Sequence, residues 1–90
     1  MKLRQIASNM TEVEFGPTTI LFSYSTPVAG FHPVYGPNEK GHFKTDQWYS
    51  QTTTRHINKY FRDEWGIDAA EVRTIPQERI DTIASPISTL

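Results

Sequence analysis

The sequence contains no cysteine, so no disulfide can staple it and no thiolate can hold a zinc ion. Packing, with self-association as a further source, must supply the stability. A chain of 90 residues buries only roughly 60 to 65 % of its unfolded surface on folding. Nowhere do about 18 apolar residues follow one another, which argues against a transmembrane helix. The opening Met1–Asn9 also lacks the apolar run of about 7 to 15 residues that a secretory signal needs. With cysteine missing as well, a cytoplasmic protein is expected. A formal net charge of −1 provides no global basic field to draw the chain onto nucleic acid, so any such binding must come from a local patch. There is no internal repeat, no low-complexity stretch and no Pro/Gly-rich linker, and residues 1–90 read as one domain.

What is present is an ordinary globular composition, 37 % apolar and 21 % charged, which favours folding over disorder. In Met10–Phe15, Val13 and Phe15 alternate with Glu12 and Glu14, the pattern of a half-buried strand. Gly16-Pro17 then favours chain reversal. Thr18–Thr26 is rich in β-branched and aromatic residues, with Ile20, Phe22 and Tyr24 on one face and Leu21 on the other, as in a central strand covered on both sides. Pro27 is expected to end the pairing. Residues 30–41 read as an irregular loop excursion whose tip is Asn38–Gly41 and whose apolar members are Phe31, Val34 and Tyr35. His42–Thr45 reads as a short strand.

Hydroxyl residues over Ser50–Thr54 suit the start of a helix near Thr52 or Thr53. Ile57, Tyr60, Phe61 and Trp65 form its apolar stripe, and Gly66 suits the left-handed C-terminal position. That stripe is expected to cover the face of Ile20, Phe22 and Tyr24. Val72 and Ile75 mark a further short strand. Pro76 opens a second helix over Gln77–Ala84, Pro86 closes it, and residues 85–90 are expected to fray. The expected fold is α+β: a small antiparallel sheet of about 3 to 4 strands, order β-β-β-α-β-α, with one main helix on a face.

No Gly-x-Ser-x-Gly elbow, Gly-rich phosphate loop or Ser-x-x-Lys motif occurs, and helix capping accounts for the hydroxyls of Ser50 and Thr52–Thr54 beside His56. Enzymatic function is therefore not expected, and no cofactor is implied. His32, His42 and His56, with Asp46, match no metal-ligand spacing, so no metal is expected. Two surfaces could carry a binding role. Aromatic residues on a loop commonly anchor protein interfaces, which nominates Phe31, His32, Tyr35 and Pro37. A cationic helix face beside aromatics can instead hold a phosphate backbone and stack bases, which nominates Trp48, Tyr49, Thr53, Arg55, His56, Lys59 and Arg62. The bland readings are that the loop packs on its own sheet and that the helix face is merely solvated. Near-neutral overall charge favours protein binding, with nucleic-acid or nucleotide binding as the alternative. Free sheet edges make a homodimer a candidate assembly.

The stretches Leu21–Ala29 and Tyr49–Lys59, together with Lys2–Thr11 and Ile75–Glu78, resemble a family of small bacteriophage proteins of unknown function. The likeness covers most of the chain. In that pattern the segment between the second and third strands is shorter, which would make Gly30–Gly41 an elaboration. The resemblance implies a phage-encoded accessory or inhibitor protein acting in the host cytoplasm, with a host protein as partner. It transfers no catalytic residue.

Overall fold

A computed structural model describes residues 1–35 and 41–88, with only the backbone of Ser88. The elements run β1 (Lys2–Ala7), β2 (Met10–Phe15), β3 (Thr18–Ser23), β4 (Thr26–Phe31), β5 (His42–Thr45), α1 (Gln51–Lys59, continued as a π-helical segment Tyr60–Trp65), β6 (Arg73–Ile75) and α2 (Gln77–Ser88). Six strands form one sheet in chain order, β1-β2-β3-β4-β5-β6. Neighbours are antiparallel except β5 and β6, which are parallel and joined across α1. The expected antiparallel sheet of three or four strands with one main helix on a face is thus corrected to a mixed six-stranded sheet with two helices. It remains α+β overall.

Three local features account for the difference. First, the segment before Met10 is a strand as well. Asn9, at φ 60°, closes a tight turn after β1, and Asn tolerates that left-handed conformation because its short side chain bonds locally. Second, Pro27 does not end the pairing. Leu21 pairs with Ala29 and Phe22 with Pro27, so Val28 is an extra residue, and the bulge accommodates an imino acid with no N–H to give. Third, Gly30 is a strand residue and not a breaker. A Cβ there would lie 2.0 Å from the Thr19 carbonyl oxygen, so only glycine lets β4 approach β3 so closely. The supposed excursion at residues 30–41 therefore begins inside a strand. Its continuation, Pro33–Tyr35, is a short 3-10 turn.

Alternation along β3 sends Leu21 to one face and Ile20 to the other, and each face receives a helix. Met10, Leu21, Val28 and Ala29 are buried under Ile57, Tyr60 and Phe61 of the α1 segment. Ile20, Phe43 and Ile75 are buried under Ile80 and Ala84 of α2, with Phe15, Phe22 and Tyr35 packed around them. The apolar stripe of the first helix is real, but it covers Leu21 where Ile20, Phe22 and Tyr24 were expected. Tyr24 is in the β3–β4 turn at φ 57°, and Trp65 lies at the rim, 39 % exposed. α2 also runs through Pro86, which was expected to close it, as far as Ser88, while residues 89 and 90 of the expected frayed tail lie outside the described residues. A proline this near the end removes only one late hydrogen bond, and the half-buried Ile87 anchors that last turn to the second core.

Candidate functional site

The connections β1–β2, β3–β4, β5–α1 and β6–α2 all lie at one end of the sheet, because β1, β3, β5 and β6 point the same way. Hydrogen bonds weld this end together. The Tyr24 amide donates to the Asn9 carbonyl at 2.8 Å, and the Asp46 amide to the Ile75 carbonyl at 3.0 Å. Asp46 Oδ1 accepts from the Gln77 amide at 3.2 Å, and the Gln77 side chain donates to the Pro27 carbonyl at 2.8 Å. Helix α1 begins here because Ser50, in extended conformation, accepts from the Thr53 amide at 3.1 Å and so caps the first turn.

On this braced end three aromatic side chains face solvent: Trp48 at 73 %, Tyr24 at 54 % and Tyr49 at 42 % exposure. Arg55, one turn into α1, is exposed as well and has no ion-pair partner among the described residues. Burial, and then the negative charges of Asp81 and Asp46, push the Tyr49 phenol above its usual value, so it stays neutral at physiological pH. Beneath the aromatics lies a small buried hydroxyl network. Ser23 Oγ sits 3.0 Å from Thr53 Oγ1 and 2.8 Å from His56 Nδ1, and the His56 ring lies 6.0 Å from that of Tyr24. Burial, with a contribution from Arg55, lowers the His56 pKa and favours the neutral imidazole. Ser23 is 2 % exposed, and its bonds to Thr53 and His56 tie α1 to the end of β3.

The residues nominated for nucleic-acid binding are thus separated. Trp48, Tyr49 and Arg55 share the aromatic end, Thr53 and His56 are turned into the Ser23 network, and Lys59 and Arg62 lie farther along the helix. Both of those cations bond Asp63, at 3.0 and 2.9 Å, and these hydrogen bonds, from Arg62 and then Lys59, hold the Asp63 carboxyl down to about 2. The residues nominated for protein binding fall on opposite faces of the sheet. Phe31 closes β4, edge-on to His42 at 5.1 Å and stacked beside Trp65 at 6.3 Å. Tyr35 packs on Phe43 at 5.7 Å in the second core, under the Arg73 guanidinium. His32 Nδ1 accepts from the Val34 amide at 3.1 Å. Pro37 lies outside the described residues. His32, His42 and His56 stand on separate elements, and among the described residues no three His, Asp or Glu side chains gather as metal ligands.

Sequence reasoning missed Tyr24, because the run of β-branched and aromatic residues carried the strand too far.

The fold and this end define a small mixed-sheet α+β domain with an exposed aromatic surface, and among the described residues no helix is long and apolar enough to cross a membrane. Residues 1–82 match the family of unknown function DUF8033, and the chain belongs to that family. Comparison with curated proteins and with solved structures finds no match.

Proposed function

We propose that the chain is a non-catalytic binding protein that acts through protein–protein contacts made by its aromatic end, Tyr24, Trp48, Tyr49 and Arg55. The observation that carries this reading is the 73 % exposure of Trp48 on a connection otherwise fixed by hydrogen bonds. Trp, Tyr and Arg are the residue types that dominate interface hot spots, because each offers a large, stiff contact area with a polar handle. Leaving a tryptophan in water on a rigid support does nothing for the fold. The resemblance to small bacteriophage proteins supports the finer reading of a phage-encoded accessory or inhibitor protein with a bacterial host protein as its partner. Binding of nucleic acid ranks below this, since Lys59 and Arg62 both bond Asp63 and lie farther along the helix than the aromatics.

The test compares baits. Wild-type protein and the Trp48→Ala variant are used for affinity capture from bacterial cytoplasm, and any protein retained is purified and titrated against both. Trp48→Ala should leave stability within about 0.5 kcal/mol of wild type, as for an exposed site, yet weaken the complex by about 2 kcal/mol or roughly 30-fold. Equal affinity of both baits for every captured protein would remove the proposal. Salt-sensitive binding of single-stranded oligonucleotides that Trp48→Ala and Arg55→Ala abolish would favour the nucleic-acid reading.

A further inference from the structure

A second surface, away from the aromatic end, has its own chemistry. β1 is an outer strand of the sheet, and among the described residues it has a strand neighbour on one side only. It is six residues long, whereas the opposite edge, β6, is three. Lys2, Leu3, Arg4 and Gln5 are all exposed, Leu3 at 67 %. A free edge of this length presents a row of backbone donors and acceptors to any extended chain.

The side chains along it are sorted by face. On the α1 side, Lys2 pairs across the ladder with Glu14 and Arg4 with Glu12; on the α2 side, Leu3 pairs with Val13. Arg4 Nη2 donates to Glu12 at 3.0 Å and also bonds Glu64, yet its side chain keeps 56 % of its exposure. Lys2 has no ion-pair partner of its own among the described residues. Two open clefts run beside the strand, one of about 400 Å³ lined by Lys2, Leu3, Arg4, Glu12 and Glu14, the other of about 350 Å³ lined by Met1, Lys2, Glu14 and Gly16. Each row across the α1 face therefore reads carboxylate, then cation, and a strand added outside would sit directly opposite the cation. The intervening row reads Val13, then Leu3, then solvent. Opposite charges and apolar pairs facing each other across neighbouring strands are stabilising, and like charges are not.

We propose that the outer edge of β1 is a docking site for an extended segment of another protein in which acidic and apolar residues alternate, added beside the existing six strands. Charge weighs against a second copy of β1 as the occupant wherever the charged half of the strand is aligned with itself. Antiparallel self-pairing centred on Leu3 sets Lys2 against Arg4 twice, and pairing centred on Arg4 sets it against itself. The pattern required of the partner is the one β2 already supplies from the inner side, Glu12-Val13-Glu14.

The probe is a synthetic peptide with the sequence Met10–Phe15 and blocked termini, titrated into the full-length isotope-labelled chain, with amide hydrogen exchange and chemical shifts as readouts. Binding should slow exchange at outward-facing β1 amides and leave β2 amides unchanged. A control peptide with lysine in place of both glutamates should bind about tenfold more weakly, since two cross-strand pairs turn from attractive to repulsive. Lys2→Glu and Leu3→Ser, both at exposed positions, should weaken the acidic peptide while leaving the melting temperature near that of wild type. Equal binding of the two peptides, or no slowing up to the peptide's solubility limit, would overturn the proposal. So would loss of protection in β2, which signals strand exchange, or a dimer of the chain alone that Leu3→Ser dissolves, which hands the edge to a second copy.

Discussion

Replacing Tyr60 with phenylalanine isolates one hydroxyl at a buried polar contact between the first helix and β2. Tyr60 has no exposed surface, Glu12 is 7 % exposed, and the phenol donates to Glu12 Oε2 at 2.7 Å while Arg4 serves the other oxygen. Phenylalanine fills the same space, so no cavity term enters. What is lost is a hydrogen bond to a charged acceptor that water cannot easily replace, about 2 kcal/mol. For a domain of this size that lowers the melting temperature by roughly 10 °C. A second signature appears at high pH. Burial, reinforced by the bond to Glu12, pushes the Tyr60 phenol far above its usual value. The folded chain keeps that proton, whereas the unfolded chain releases it above about pH 10. The stability this group contributes is therefore complete below that pH and declines as pH rises, by about 1.4 kcal/mol per pH unit for one proton. Urea unfolding of wild type and Tyr60→Phe, at neutral pH and between about pH 9 and 11, measures both effects. The variant should start lower and fall less steeply. A variant within about 0.5 kcal/mol of wild type at neutral pH, with an unchanged alkaline slope, would show that Glu12 does not depend on this donor.

Gly30→Ala should cost about 3 kcal/mol or more, because its Cβ meets the Thr19 backbone at 2.0 Å and backbone cannot yield as a side chain can; denaturant titration checks it, and a near-neutral result would mean that β4 does not approach β3 so closely. Gly66→Ala meets no atom within 4 Å but must hold φ 67°, so a milder loss of about 1 kcal/mol is expected, read from the thermal midpoint. His56 should titrate below the usual imidazole range in a proton-resolved NMR titration. Since the folded state prefers the neutral ring, its contribution is present above about pH 6.5 and is lost as pH falls below that value; replacing Arg55 with glutamine should move the titration upward.

Much of the fold was legible where apolar residues alternate or recur at helical spacing. β2 followed from Val13 and Phe15, the following turn from Gly16-Pro17, and the end of the first long helix from Gly66, which does take the left-handed conformation. β1 was not legible because Leu3 stands alone among Lys2, Arg4 and Gln5, with no hydrophobic period to betray a strand. β4 was hidden by Pro27 and Gly30, two residues that normally interrupt a strand. Here a bulge absorbs the first and a tight strand approach demands the second, and both are tertiary facts that no local pattern encodes. The parallel pairing of β6 depends on the crossover through α1, so the sheet's handedness and strand count lay beyond a local reading. For the candidate site, Trp48, Tyr49 and Arg55 were picked out by residue type alone. Lys59 and Arg62 instead bond Asp63, the first from one helical turn before it and the second as its sequence neighbour.

The polar groups beneath α1 explain how so small a domain fixes its outermost strand. β1 offers little apolar surface to set its register, and a slip of one residue would move Lys2 and Arg4 to the opposite face. Arg4 would then lose Glu12 and Glu64, leaving Glu12 buried with one donor fewer. A charge uncovered in that way is far more costly than the pair is stabilising. The network thus discriminates between registers more than it strengthens the correct one. Tyr60 and Glu64, four residues apart on the Tyr60–Trp65 segment, serve the same end, since both reach this network. An edge strand held in one register presents one fixed alternation of cationic and apolar positions, and that constancy is what would let β1 choose a partner by sequence.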